Sequence, residues 1–140
     1  MVEREPKPMG YYSYFDVSVY ANPEQVPARD ILVWIQNRMK ADRNFFYPFE
    51  YVVQDLLSPE SAEYLAEHPY YFRLSEEEEF KWYAAYREMQ ELSEAFPSVV
   101  FKLNRSGEMP DDNFDSYFKA GQKKEFDGTI PLLRAEDMFL

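Results

Sequence analysis

No cysteine occurs in the chain, which excludes a disulfide-stapled scaffold, a thiolate metal site and a cysteine nucleophile together. Histidine occurs once, at His68, so neither a multi-histidine metal centre nor a catalytic triad is expected. An imidazole just before Pro69 is instead placed to meet the last carbonyls of a helix. Four glycines are too few for phosphate-cradling loops, and no Walker, dinucleotide or G-x-S-x-G fingerprint is present. No apolar run reaches membrane-spanning length, and the start MVEREPKPMG is charged and proline-bearing rather than signal-like. These absences predict a soluble cytoplasmic protein and make the sequon Asn104-Arg105-Ser106 a chance match.

What is abundant is aromatic and acidic. Apolar residues make up 46% and aromatics 19% of 140 residues, too much for a disordered chain and enough for one domain's core. Residues 1–10 read as a flexible lead and 11–140 as a single α+β domain. The net charge is −11, from 26 acids against 15 bases, and it leans toward the C-terminal half. Residues 1–74 carry 11 acids and 7 bases, whereas residues 75–140 carry 15 and 8. A surface this negative repels phosphate backbones, so direct nucleic-acid binding is not expected, and a basic protein partner is.

Periodicity supplies the elements. YYSYFDVSVYA alternates as a strand, with Phe15, Val17 and Val19 on a packed face and Tyr12, Tyr14, Asp16, Ser18 and Tyr20 on a wetter one. A helix over 28–40 follows, with Pro27 in its first turn and a stripe of Ile31, Trp34, Ile35 and Met39. Strand and helix together read as half of a split β-α-β unit. Residues 45–57 fit a strand or a short buried helix equally. SPESAEYLAEHP reads as a short helix with Ser58 as cap, Pro59 at its first position and Pro69 as stop. Ser75 and Glu78 match a capping box, which predicts a long helix ending at Pro97, with Trp82, Ala85, Tyr86, Met89, Leu92 and Phe96 as its apolar stripe. Three alternating runs close the chain. SVVFKLN places Val99, Phe101 and Leu103 on one face, and NFDSYFKA places Phe114, Ser116 and Phe118 on one face. An AGQ turn leads to the third, Phe126 to Leu132, with a bulge at Asp127-Gly128. The whole predicts an antiparallel sheet packed by two main helices, a ferredoxin-like sandwich.

The series ELSEAFP, SVVFKLNRSGE, an acidic turn, an aromatic strand and KAGQ resembles small ferredoxin-like acidic proteins encoded by phages, plasmids and related mobile elements. The likeness spans roughly Phe80 to Ile130 and supplies no active-site residues. It implies the fold class and a host-cytoplasmic setting. Some acidic proteins of such genomes inhibit host defence nucleases, so the resemblance also implies a counter-defence inhibitor.

The chemistry-bearing clusters are acidic. Asp111, Asn113 and Asp115 match the first alternating ligands of a calcium loop, but Ser116 and Gln122 stand where it needs Gly and a bidentate Glu. No metal, cofactor or catalytic residue is therefore assigned. The expected partner surface comprises Glu76, Glu77, Glu79, Glu108, Asp111, Asp112 and Asp115, with Tyr12, Tyr14 and Tyr117 as contact area. This set reads as a non-enzymatic module that docks on a basic, nucleic-acid-binding surface of a processing or defence enzyme. Other readings stay open. They are an immunity-type protein against a toxin nuclease, a carboxylate-based hydrolase with two close carboxylates in a pocket, and a homo-oligomeric subunit, as small as a homodimer, with an apolar face at Phe45–Tyr51.

Overall fold

A computed structural model describes residues 12–107 and 113–127, with side chains through residue 124. The expected N-terminal lead, the acidic turn at Glu108, Asp111 and Asp112, and the chain beyond Asp127 lie outside the described residues.

Alternation makes the sheet. Strand β1 (Tyr14–Ala21) buries Phe15, Val17 and Val19 and leaves Tyr14 and Tyr20 exposed, as its period-2 pattern predicts. It pairs antiparallel with β2 (Arg73–Ser75) on one side and β3 (Val100–Ser106) on the other. Strands β4 (Asn113–Lys119) and β5 (Gln122–Asp127) extend the sheet, giving the order β2-β1-β3-β4-β5. Every neighbouring pair is antiparallel. Strand β5 thus begins at Gln122, ahead of the expected start at Phe126, and the expected bulge falls outside the described residues. Because β1 and β2 are direct antiparallel neighbours, the helix between them is not the crossover of a split β-α-β unit. The α+β class holds, while strand order and helix packing depart from the ferredoxin-like sandwich.

The helices cover the Phe15–Val17–Val19 face. Helix α1 (Ala28–Ala41) inserts Ala28, Ile31, Leu32 and Ile35, with Trp34 and Met39 half-buried at its margin. The ambiguous 45–57 stretch resolves as a 3-10 turn (Tyr47–Phe49) leading into α2 (Glu50–Leu56). Within the expected apolar face at Phe45–Tyr51, Phe45, Phe46 and Phe49 are buried within the chain, while Tyr47 and Tyr51 are exposed. A second 3-10 turn (Pro59–Ser61) opens α3 (Ala62–Glu67), and the Ser58 hydroxyl donates to the Asp55 carbonyl instead of capping it.

The capping-box expectation fails. Ser75 is the last residue of β2, and the helix, α4, spans only Ala85–Ala95. Phe80 instead makes a two-hydrogen-bond bridge with Ser13, at 3.0 and 2.8 Å, which keeps the preceding glutamates alongside β1. The tertiary bridge outweighs the local preference of four consecutive glutamates for a helix start. The stripe itself is correct from Trp82 onward: Trp82, Ala85, Met89 and Leu92 are buried.

The β4–β5 hairpin is pinned to α4. Ala120 and Gly121 take φ of 50° and 83°, the two left-handed positions of a tight hairpin turn. The Gly121 amide donates to Ser93 Oγ at 2.8 Å, and a Cβ on Gly121 would lie 2.9 Å from a Glu94 carboxylate oxygen. Gly121→Ala is expected to cost roughly 1–2 kcal/mol and Ser93→Ala about 1 kcal/mol. Ala120→Gly, which relieves the same strain, is expected to be neutral or stabilising. Urea unfolding of the three variants checks the pattern.

Candidate functional site

Two features carry chemical information: a buried carboxylate, and an acidic, tyrosine-bearing end of the sheet.

The carboxylate is Glu88, 2% exposed in the first turn of α4. Its Oε1 accepts the Phe46 amide at 2.7 Å and the Trp82 indole N–H at 2.8 Å. Trp82 packs edge-on against Phe15, Phe46 and Phe49, with ring centroids 5.0–5.5 Å apart. Phe46 holds a left-handed backbone at φ 50°, costly for a bulky residue, and its amide is fixed by this same carboxylate. Burial pushes the Glu88 carboxyl above its ordinary value of 4.5, against the stabilising hydrogen bonds from Phe46 and Trp82 and the nearby Arg87 guanidinium; Asp42 adds to the rise. Glu88 was missed at the sequence level. Its trace was a carboxylate at helical spacing between Ala85 and Leu92, inside an otherwise apolar stripe.

Glu88 Oε1 is occupied by two structural donors. Among the described residues no group of three or more His, Asp or Glu side chains could hold a metal ion. The geometry is that of a tie between three segments.

The acidic end is built by strand register. Ser75 pairs with Asp16 and Phe80 with Ser13, so Glu76–Glu79 run beside the start of β1. On the other side of β1, Tyr14 pairs with Ser106, which pairs with Asn113. Ser106 and Asn113 therefore lie at this same end. Glu77 and Glu78 are exposed and Glu76 and Glu79 half-buried. The Glu76 carboxyl is raised, first by burial and then by the like charges of Glu78, Glu77 and Asp55. Tyr12 is 54% exposed, with the Lys81 ammonium 4.6 Å from its ring centre, and Tyr14 is 42% exposed. Tyr47 and Tyr83, which the sequence did not single out as site residues, are exposed beside Lys81; the Tyr47 hydroxyl donates to the Lys81 carbonyl at 2.6 Å.

Two expected contact residues are corrected. Asp115 is buried on the outer sheet face, where it accepts from the Asn104 amide at 2.7 Å. Tyr117 is fully buried, edge-on to Tyr20 at 4.8 Å, and its phenol is pushed up to about 12 by burial, with Asp115 and Tyr20 adding to it. Alternation correctly put both side chains on the face opposite the helices; it could not show that this part of the face is covered. Neither offers exposed contact area. Among the described residues no helix is long and apolar enough to cross a membrane.

Because the folded-state Glu88 pKa is raised, its contribution is fully present below the ordinary value and is lost as pH rises through the folded value. Wild type is therefore expected to lose stability relative to Glu88→Gln as pH rises from acid toward neutrality. Glu88→Ala, which leaves two buried donors unmet, is expected to cost more than Glu88→Gln, on the order of 2–4 kcal/mol. Denaturant unfolding at several pH values measures both. Set against protein-family models, curated proteins and solved structures, the chain matches none of them.

Proposed function

We propose that the protein is a non-enzymatic binding module whose acidic sheet end docks on a basic surface of a partner protein, of the kind that otherwise holds nucleic acid. The observation that carries this reading is the Glu76–Glu79 run, held as a bend between β2 and the Ser13–Phe80 bridge, at the end of β1 that bears exposed Tyr12 and Tyr14, with Glu76 raised by burial and then by Glu78 and Glu77. Crowded carboxylates repel one another, and a cationic partner relieves that repulsion on contact. Tyrosines beside them supply contact area with little loss of side-chain freedom. Charge of one sign at one end also steers a basic partner in from a distance.

An inhibitor of a host nuclease and an immunity protein for a toxin nuclease both use this physics. Competition with nucleic acid follows from either, since the acidic end would occupy the phosphate-binding surface.

The immobilised protein is expected to capture a basic protein from a host lysate at low salt, and duplex DNA is expected to compete for it. Glu77→Lys with Glu78→Lys should weaken capture by roughly tenfold or more and flatten its salt dependence, with folding unimpaired by circular dichroism. Capture indifferent to salt, to DNA and to the double reversal would defeat the proposal.

A further inference from the structure

A second surface has the opposite character. A groove of about 490 Å³ lies between the C-terminal turn of α1 and helix α2, within the size range of small-ligand clefts, roughly 300–1,000 Å³. Its floor is apolar: Phe45 and Val53 are buried and Met39 half-buried. Lys40 and Arg43 stand on its rim, and Glu50 is the one acid that lines it. Among the described residues neither cation has an acidic partner within ion-pairing distance, whereas Arg38 nearby is held by Glu91 and lies 4.4 Å from the Phe45 ring centre. Lys40 lies in the last turn of α1, where a cation also offsets the helix dipole. Arg43 is past the helix end and has no such duty.

From this arrangement we propose that the groove is a binding site for a small amphipathic monocarboxylate, its apolar body on half-buried Met39 and the exposed Tyr47 ring, above Phe45 and Val53, and its carboxylate on Lys40 and Arg43. Two lining cations against one acid leave a single positive charge, which one carboxylate neutralises. A dianion would bring a second negative charge beside Glu50, in a chain whose net charge is −11. The pliant thioether of Met39 suits an alkyl body better than a rigid fit does. The site is independent of the acidic sheet end, so either can fail without the other.

The test is an NMR titration of the full chain with octanoate, octanedioate, octanol and octylammonium. Octanoate should give saturable shifts centred on residues 36–54 and on the Trp34 indole, whose ring sits edge-on to Phe45 at 5.7 Å. Lys40→Gln with Arg43→Gln should weaken octanoate by roughly tenfold, and Glu50→Gln should tighten it and admit octanedioate. The proposal is overturned if octanol or octylammonium binds as tightly as octanoate, if the double variant leaves octanoate unchanged, or if no saturable shift appears in the millimolar range. These variants sit on exposed positions, so their folded spectra can be compared directly with wild type.

Discussion

The Glu88 carboxylate decides where the chain can be helical. An α-helix turns about 100° per residue, so residues six apart lie roughly 240° from each other and cannot share a face. Trp82 and Glu88 are six apart, and the indole N–H nevertheless reaches Oε1 at 2.8 Å. The chain must therefore leave helical geometry between them, and α4 begins at Ala85. The same oxygen accepts the Phe46 amide across 42 residues of sequence. One carboxylate thus sets the start of α4, the seat of Trp82 in the core and the turn that launches α2. The Ser13–Phe80 bridge separately holds Phe80 and the glutamates before it, which a helix through residues 76–84 would pull away.

This explains which parts of the fold were legible. Strands β1, β3 and β4 were read correctly because alternation records burial directly, residue by residue. Helix α1 was read correctly because its apolar spacing and its proline-marked start agree. The long-helix reading failed at Ser75 because S-x-x-E and four glutamates report local preference alone. The features that outweigh it, a bridge to Ser13 and a buried acceptor for Trp82, connect residues distant in sequence. Strand β2 was missed for a related reason: three residues are too few to show a period, and their strand character comes from pairing with β1. The candidate site was legible as composition, in its acids and tyrosines. Register alone brings Glu76–Glu79 beside Tyr14, and cover over the outer sheet face removes Asp115 and Tyr117.

The distribution of charge follows the same division. Acids gather where a bent segment after β2 keeps four of them near solvent without burying any completely. The groove between α1 and α2 takes the reverse arrangement, with two cations that have no acidic partner among the described residues, over an apolar floor. The acidic end and the groove can coexist on so small a chain because they belong to different layers, one to the end of the sheet and one to the helices covering it.

The scarcity of glycine has a structural counterpart. Among the described residues three non-glycine residues, Gln25, Phe46 and Ala120, adopt φ between 50° and 56°, each at a strain of roughly 1–2 kcal/mol. Each lies beside a polar side chain that clamps its turn. Asn22 accepts the Val26 amide and donates to the Val26 and Tyr70 carbonyls around Gln25. Glu88 takes the Phe46 amide, and Ser93 takes the amide of Gly121, next to Ala120. Where glycine would have turned freely, this chain turns under constraint, and each constraint reaches beyond the turn to a separate part of the fold. Asn22 binds the β1 exit to the residues before β2, Glu88 binds α4 to the α2 approach, and Ser93 binds α4 to the hairpin. The strained turns therefore serve as attachment points between layers, and the buried ones are the places where a polar residue is indispensable.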